Sequence, residues 1–112
     1  MLAKDLAQYQ PILRCTFVHT NIDQYEWDAI KSDANKRKHG VSFADAAMSL
    51  EDPFSLSMPD PDCQEEARFL NLGLDPQGRL LVTVFAYRGS RIRIISSRRA
   101  SSAERLQYRS IG

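Results

Sequence analysis

Apolar residues recur in two rhythms along this 112-residue chain, helical between positions 28 and 52 and alternating from about position 54 onward. Asp28 is placed to cap a helix over 28–38, which contains no Pro or Gly and stops at His39-Gly40. Trp27, Ile30 and Ala34 give that helix only a narrow apolar side. Lys31, Asn35, Lys38 and His39, at i, i+4, i+7 and i+8, line up on one polar face. Ser42 caps a second helix with Asp45 at the capping-box position, Phe43, Ala46, Ala47 and Leu50 toward the core, and Asp52-Pro53 as its stop. Residues 54–58 alternate like a half-buried strand, and a Pro- and Asp-rich loop follows to position 64. Three further strands are predicted over 68–74, 80–87 and 91–97, joined by Asp75-Pro76-Gln77-Gly78 and Arg88-Gly89-Ser90, so that consecutive strands pair as hairpins. Ser101, with Glu104 three residues on, opens a last helix whose Ala103, Leu106 and Ile111 are expected to face inward. Residues 1–21 read less sharply, with a short helix through Leu2, Leu6 and Tyr9 before Pro11 and a short strand at Cys15-Thr16-Phe17-Val18. The expectation is an N-terminal extension over 1–21 and one α+β domain over 22–112, with an antiparallel sheet of about four strands.

A composition of 43% hydrophobic and 26% charged residues fits a globular domain able to bury one core. No apolar run approaches the roughly 20 residues of a membrane span, and Lys4 and Asp5 interrupt any signal-peptide pattern. Cys15 and Cys63 lack metal-ligand spacing, and a reduced, cytoplasmic protein is a simpler reading than a disulfide. Charge changes the picture more. The net charge is +1, yet residues 1–75 carry −6 and residues 76–112 carry +7, with Glu104 the single acid among eight arginines of that last third. Such a basic third is either a solvated surface or an anion-binding face, with nucleic acid the commonest partner.

Period-two geometry sends Ile92 and Ile94 to the core and Arg91 and Arg93 to the opposite face, with Arg98 and Arg99 following at the strand's end. Guanidinium groups grip phosphate with paired hydrogen bonds and stay charged at any working pH. RNA cleavage through the ribose 2′-hydroxyl needs a proton acceptor, a stabiliser of the phosphorane and a proton donor for the leaving oxygen. Arg68, Arg91, Arg93 and Arg98 suit the stabilising role, His39 titrates in the right range, and Tyr108 offers a hydroxyl or a stacking ring. His39 equally suits a plain helix C-terminal cap. No Gly-rich phosphate loop, serine-hydrolase elbow or zinc signature is present. The acidic run Asp60, Asp62, Glu65 and Glu66 reads as a solvated loop rather than a metal site.

These residues together resemble the BrnT toxins, the DUF497 family. The resemblance rests on Tyr25-Glu26-Trp27-Asp28, Lys31, Asn35, Lys38-His39-Gly40-Val41-Ser42-Phe43 and Asp52-Pro53, then Arg68-Phe69, Gly73 and Gly78-Arg79-Leu80-Leu81-Val82. It closes on Arg88-Gly89, Arg91-Ile92-Arg93-Ile94-Ile95-Ser96, Arg98-Arg99-Ala100, Glu104 and Tyr108. It implies a RelE-like fold and a ribonuclease that needs no metal or other cofactor and halts translation. It also implies a BrnA-type antitoxin partner that alone touches DNA, with a heterotetramer among the assemblies open to the pair. Carried over by position, it implies catalytic roles for Lys31, His39, Arg68, Arg93, Arg98 and Tyr108, and RNA binding by Lys38, Arg91 and Arg99. Two departures stand out: Ala86-Tyr87-Arg88-Gly89 where many members read Thr-Glu-Arg-Gly, and Cys63-Gln64 where a His often stands. The competing readings are a basic-faced module that binds RNA or protein without chemistry, and a dimer built on exposed strand edges.

Overall fold

A computed structural model describes residues 13–14, 24–61 and 67–111. Its elements run β1 (Leu13–Arg14), β2 (Tyr25–Glu26), α1 (Ala29–His39), α2 (Phe43–Ser49), β3 (Leu56–Pro59), β4 (Phe69–Leu74), β5 (Leu80–Arg88), β6 (Arg91–Arg99) and α3 (Ser102–Ile111). The α+β class holds, but the sheet is larger than expected and mixed. Among the described residues six strands lie in the order β1-β3-β4-β5-β6-β2, with β2 parallel to β6 and the other neighbours antiparallel. The two extra strands are two-residue edge pieces, too short to leave an alternation in the sequence. The expected helix and strand at residues 2–9 and 15–18, and both cysteines, lie outside the described residues.

One face of the sheet is covered by α1 and α2. Val41, Phe43, Ala46, Ala47 and Leu50 pack there against Leu81, Phe85, Ile92 and Ile94. On the other face Leu56, Leu70, Leu72, Leu80, Val82 and Val84 form a second core, joined by Ile95 and by Tyr108 of α3. The caps are as the sequence predicts. The Asp28 carboxylate accepts from the Ile30 and Lys31 amides, and Gly40 ends α1 in the left-handed region at φ 75.

Of the apolar side expected of α1, Trp27 packs against the core and the other two residues do not. Ile30 is 77% exposed and Ala34 is exposed, whereas Asn35 is buried. Asn35 fills the place of a missing edge strand: its amide donates to the Val41 and Ser97 carbonyls at 2.8 and 2.9 Å and its oxygen accepts from the Ser97 amide at 3.2 Å. It ends a polar row in register across four strands, half-buried Ser57 followed by buried Asn71, Thr83 and Ser97. Ser57 donates to Asn71, Thr83 and Ser97 share a hydrogen bond at 2.9 Å, and Ser49 of α2 lies 3.4 Å from Thr83. Buried hydroxyls and amides are tolerable only when paired in this way. Where α2 meets β4 the approach is so close that a Cβ at Gly73 would stand 2.4 Å from the Ser49 carbonyl oxygen.

A β-bulge decides which side chains share a face. Phe85 pairs with Ile94 and Val84 with Ser96, so Ile95 is the extra residue and the alternation of β6 changes phase there. Arg98 thereby joins Arg91 and Arg93 on the second face, although strict period two places it with Ile92 and Ile94.

In α3 the inward residues are Glu104 and Tyr108. The expected Ala103 and Leu106 are exposed, Leu106 by 64%, and the Ile111 side chain lies outside the described residues. Polar anchors orient this helix. Arg98 fastens Glu104, and Asp52 accepts the Tyr108 hydroxyl.

Candidate functional site

The sequence-derived site residues fall into two groups at opposite ends of β6. From Arg91 to Arg99 the strand spans about 26 Å at 3.3 Å per residue. Arg93 and Arg98 are five positions apart, about 16 Å. Groups that serve one reacting phosphate must lie within a few ångströms of it, so the position of the reacting phosphate along β6 decides which of these residues take part.

At the end where β6 finishes, a groove of about 380 Å³ is lined by Leu74, Gly78, Leu80 and Tyr108 together with Arg79, Arg99, Arg105 and Arg109. Arg79 is a strut: it bonds Asp75 and Asp45 and donates to the Gly40 carbonyl at 2.9 Å. Arg99, Arg105 and Arg109 are exposed and, among the described residues, make no ion pair. Arg105 and Arg109, at i and i+4 on α3, share a helix face. The Tyr108 ring borders the groove while its hydroxyl donates to Asp52 Oδ2, which also accepts from the Leu74 amide.

His39 stands at this same end, next to the Gly40 that Arg79 holds, at the end of α1 and not among the residues that line the groove. Its pKa is lowered from 6.5, first by burial and then by the positive charges of Lys38 and Arg98. The imidazole is therefore neutral at pH 7, the state a proton acceptor requires. Arg98 itself is committed. Its two terminal nitrogens grip both oxygens of the fully buried Glu104 at 2.8 and 2.9 Å, and the Ser101 amide donates to the same carboxylate at 2.7 Å. This is the fork geometry that guanidinium would otherwise offer to phosphate.

The β5–β6 hairpin end carries Arg68, Arg88, Arg91 and Arg93. Arg93 lies between Glu26 and Ala86 in the ladder and pairs with Glu26 at 3.0 Å, both about 30% exposed. Arg68, directly before β4, continues the register to the far side of Ala86. Arg88 and Arg91 face each other beside Gly89, both exposed. Lys31 is exposed in the first turn of α1, and Lys38 is exposed in its last.

With fold and site in place, the comparisons decide the family. The profile describing the ribonuclease toxin, BrnT, of type II toxin–antitoxin systems matches residues 27–104. The chain belongs to the BrnT family. The crystal structure of the Brucella abortus ribonuclease toxin BrnT is similar, at 28% identity and a TM-score of 0.51, over 68% of this chain and 94% of that one. No curated protein matches the chain. As a member of a type II toxin family it is expected to have a protein antitoxin and an RNA substrate. No helix among the described residues is long and apolar enough to cross a membrane.

Three groove residues, Arg79, Arg105 and Arg109, were missed as site candidates. The signal was available for two of them: Arg105 and Arg109 flank Tyr108 at helical spacing. Glu26, the partner of Arg93, was legible only as part of the resemblance. Of the two departures from the family pattern, Tyr87 is exposed at the hairpin, and Cys63 lies outside the described residues.

Proposed function

We propose that this BrnT family member is a metal-independent endoribonuclease that cuts RNA in the groove between β6 and α3. The observation that carries this reading is the set of three exposed guanidinium groups, Arg99, Arg105 and Arg109, on a groove with no carboxylate among the described residues of its lining. A pocket with convergent, preorganised cations is where charge on a phosphorane is best stabilised. In the proposed step the ribose 2′-oxygen attacks the adjacent phosphorus and passes its proton to the neutral imidazole of His39. The exposed arginines hold the non-bridging oxygens, the P–O5′ bond breaks, and the 5′-oxygen takes up a proton from solvent water. The products are a 2′,3′-cyclic phosphate and a 5′-hydroxyl. Lys38 adds positive charge beside His39. Arg98 and Tyr108 are assigned positioning roles, through Glu104 and Asp52. Lys31 in the first turn of α1, Arg68 before β4, and Arg91 and Arg93 at the start of β6 are assigned contacts to other parts of the RNA.

The remaining family expectations belong to the same reading. The fold has the RelE-like layout, the chain acts in the cytoplasm, and cleavage arrests translation. A BrnA-type antitoxin brings acidic residues across the arginines, as charge complementarity favours, and it carries any DNA contact of a heterotetrameric complex. Expression without a partner is expected to arrest growth, and an Arg99→Ala, Arg105→Ala chain at equal level is expected not to. Equal harmlessness of both chains, with intact RNA binding, would instead favour the non-catalytic binding module.

A further inference from the structure

The outer side of α1 carries residues that neither the helix nor the core uses. Ser32 and Asn35 bond inward, to the Phe43 amide and to Ser97, so the opposite side faces solvent. It presents Ile30, the most exposed large hydrophobic side chain among the described residues at 77%, with exposed Ala34 four positions on. Lys31, Arg37 and Lys38 flank this aliphatic pair at helical spacing. All three are exposed, and among the described residues none makes an ion pair. Arg37 and Lys38 suit the last turn of a helix, where cations are favoured. Lys31 does not suit the first turn, which holds no acid and already carries the positive end of the helix dipole. An exposed aliphatic knob beside an unfavourably placed lysine stabilises nothing in the free chain, and it is the arrangement by which one helix face anchors a partner.

We propose that the outer face of α1 is a docking site for the protein antitoxin. An aliphatic side chain of the antitoxin seats on Ile30 and Ala34, and carboxylates beside it pair with Lys31, Arg37 and Lys38. The patch itself selects this occupant. RNA would take the cations, but its bases stack on rings or guanidinium planes, and the centre of this patch is aliphatic. A second copy placed face to face would set three cations against three. An acidic protein segment with an apolar anchor meets both parts. The position also suits inhibition: α1 ends at Gly40, whose carbonyl accepts from Arg79 of the groove wall, so an antitoxin on α1 borders the proposed cleavage site. The docking site rests on the antitoxin that membership of a type II toxin family implies, and it is independent of whether the groove cuts RNA.

Ile30→Arg and Arg37→Glu are the variants. Both positions are exposed, so each chain is expected to melt within about 4 °C of wild type. Surface plasmon resonance with the antitoxin encoded beside this chain reads docking, and fluorescence anisotropy with a 2′-O-methyl RNA reads RNA binding without cleavage. Ile30→Arg is expected to weaken the antitoxin by about tenfold or more, although it adds charge of the favoured sign, because the apolar anchor is gone. The same chain is expected to cut RNA at the wild-type rate. Arg37→Glu is expected to weaken the antitoxin severalfold and to flatten the salt dependence of its binding. Unchanged antitoxin affinity in Ile30→Arg would overturn the docking site. A change in RNA affinity alone would make α1 an RNA face. A wild-type dimer split by Ile30→Arg, with antitoxin affinity unchanged, would make it a contact between copies. If Ile30→Arg loses the antitoxin and wild type cuts no RNA, the ribonuclease reading fails and the docking site stands. If wild type cuts RNA and Ile30→Arg keeps the antitoxin, the reverse holds.

Discussion

Removing the Glu104 carboxylate tests whether Arg98 is a strut or a phosphate ligand. Glu104 is fully buried and receives both terminal nitrogens of Arg98 and the Ser101 amide, while the Ser101 hydroxyl accepts from the Glu104 amide at 3.2 Å. The pair and the capping box are thus one unit. Glu104→Ala leaves a guanidinium that is only 14% exposed facing a cavity without its counter-charge. Breaking one side of a buried pair costs about 3–5 kcal/mol, a large part of the 5–15 kcal/mol typical of a whole domain. For a domain of this size it corresponds to a fall in Tm of about 12–20 °C, at roughly 4 °C per kcal/mol. Thermal and urea unfolding followed by circular dichroism would read it. Arg98→Ala should be as damaging, because it strands the buried carboxylate. The double variant Arg98→Met, Glu104→Leu should recover most of the loss, since an apolar pair of similar volume replaces two charges. A Glu104→Ala chain that melts within about 4 °C of wild type, some 1 kcal/mol, would refute the reasoning and return Arg98 to the list of groups free to meet RNA.

Three further outcomes are expected. Asn35→Ala should cost about 2–4 kcal/mol in urea unfolding, because it strips partners from the Ser97 amide and from the Ser97 and Val41 carbonyls in a buried setting; a change below about 0.5 kcal/mol would mean water replaces it freely. Gly73→Ala should destabilise by about 1–3 kcal/mol, since the new Cβ meets backbone rather than a flexible side chain, and an unchanged urea midpoint would contradict the tight α2–β4 approach. Burial and neighbouring cations lower the His39 pKa, so the imidazole stays neutral down to below pH 6.5. Cleavage should then hold steady from about pH 8 to about 6.5, fall as pH drops through the lowered pKa, and lose that acid limb in His39→Gln; a limb unaltered by the substitution would remove His39 from the reaction.

Much of the fold was legible because its helices announce themselves by caps. Asp28, Gly40, Ser42 and the Ser101–Glu104 box each act as the sequence suggests. The β4, β5 and β6 strands were legible from alternation and turns. What escaped was governed by contacts distant in sequence. Asn35 reads as one polar residue among four on a helix face until Ser97 is brought beside it. The bulge at Ile95 leaves no mark in an apolar run, yet it sets the face of Arg98. The inward side of α3 was misread because Glu104 and Tyr108 bury polar groups where hydrophobicity points to Ala103 and Leu106. In the site, residue type identified the arginines but not their commitments. Arg98 and Arg79 spend their donors within the protein, and Arg99, Arg105 and Arg109 leave theirs exposed.

The most direct measurement is incubation of the partner-free chain with purified total RNA in excess EDTA, followed by analysis of the new ends, with Arg99→Ala, Arg105→Ala alongside. Cleavage by wild type to 2′,3′-cyclic phosphate and 5′-hydroxyl ends, lost in a variant that melts like wild type, is the expected result. RNA left intact by a folded wild-type chain, or cut equally well by the variant, would contradict a metal-independent cleavage site in the groove between β6 and α3.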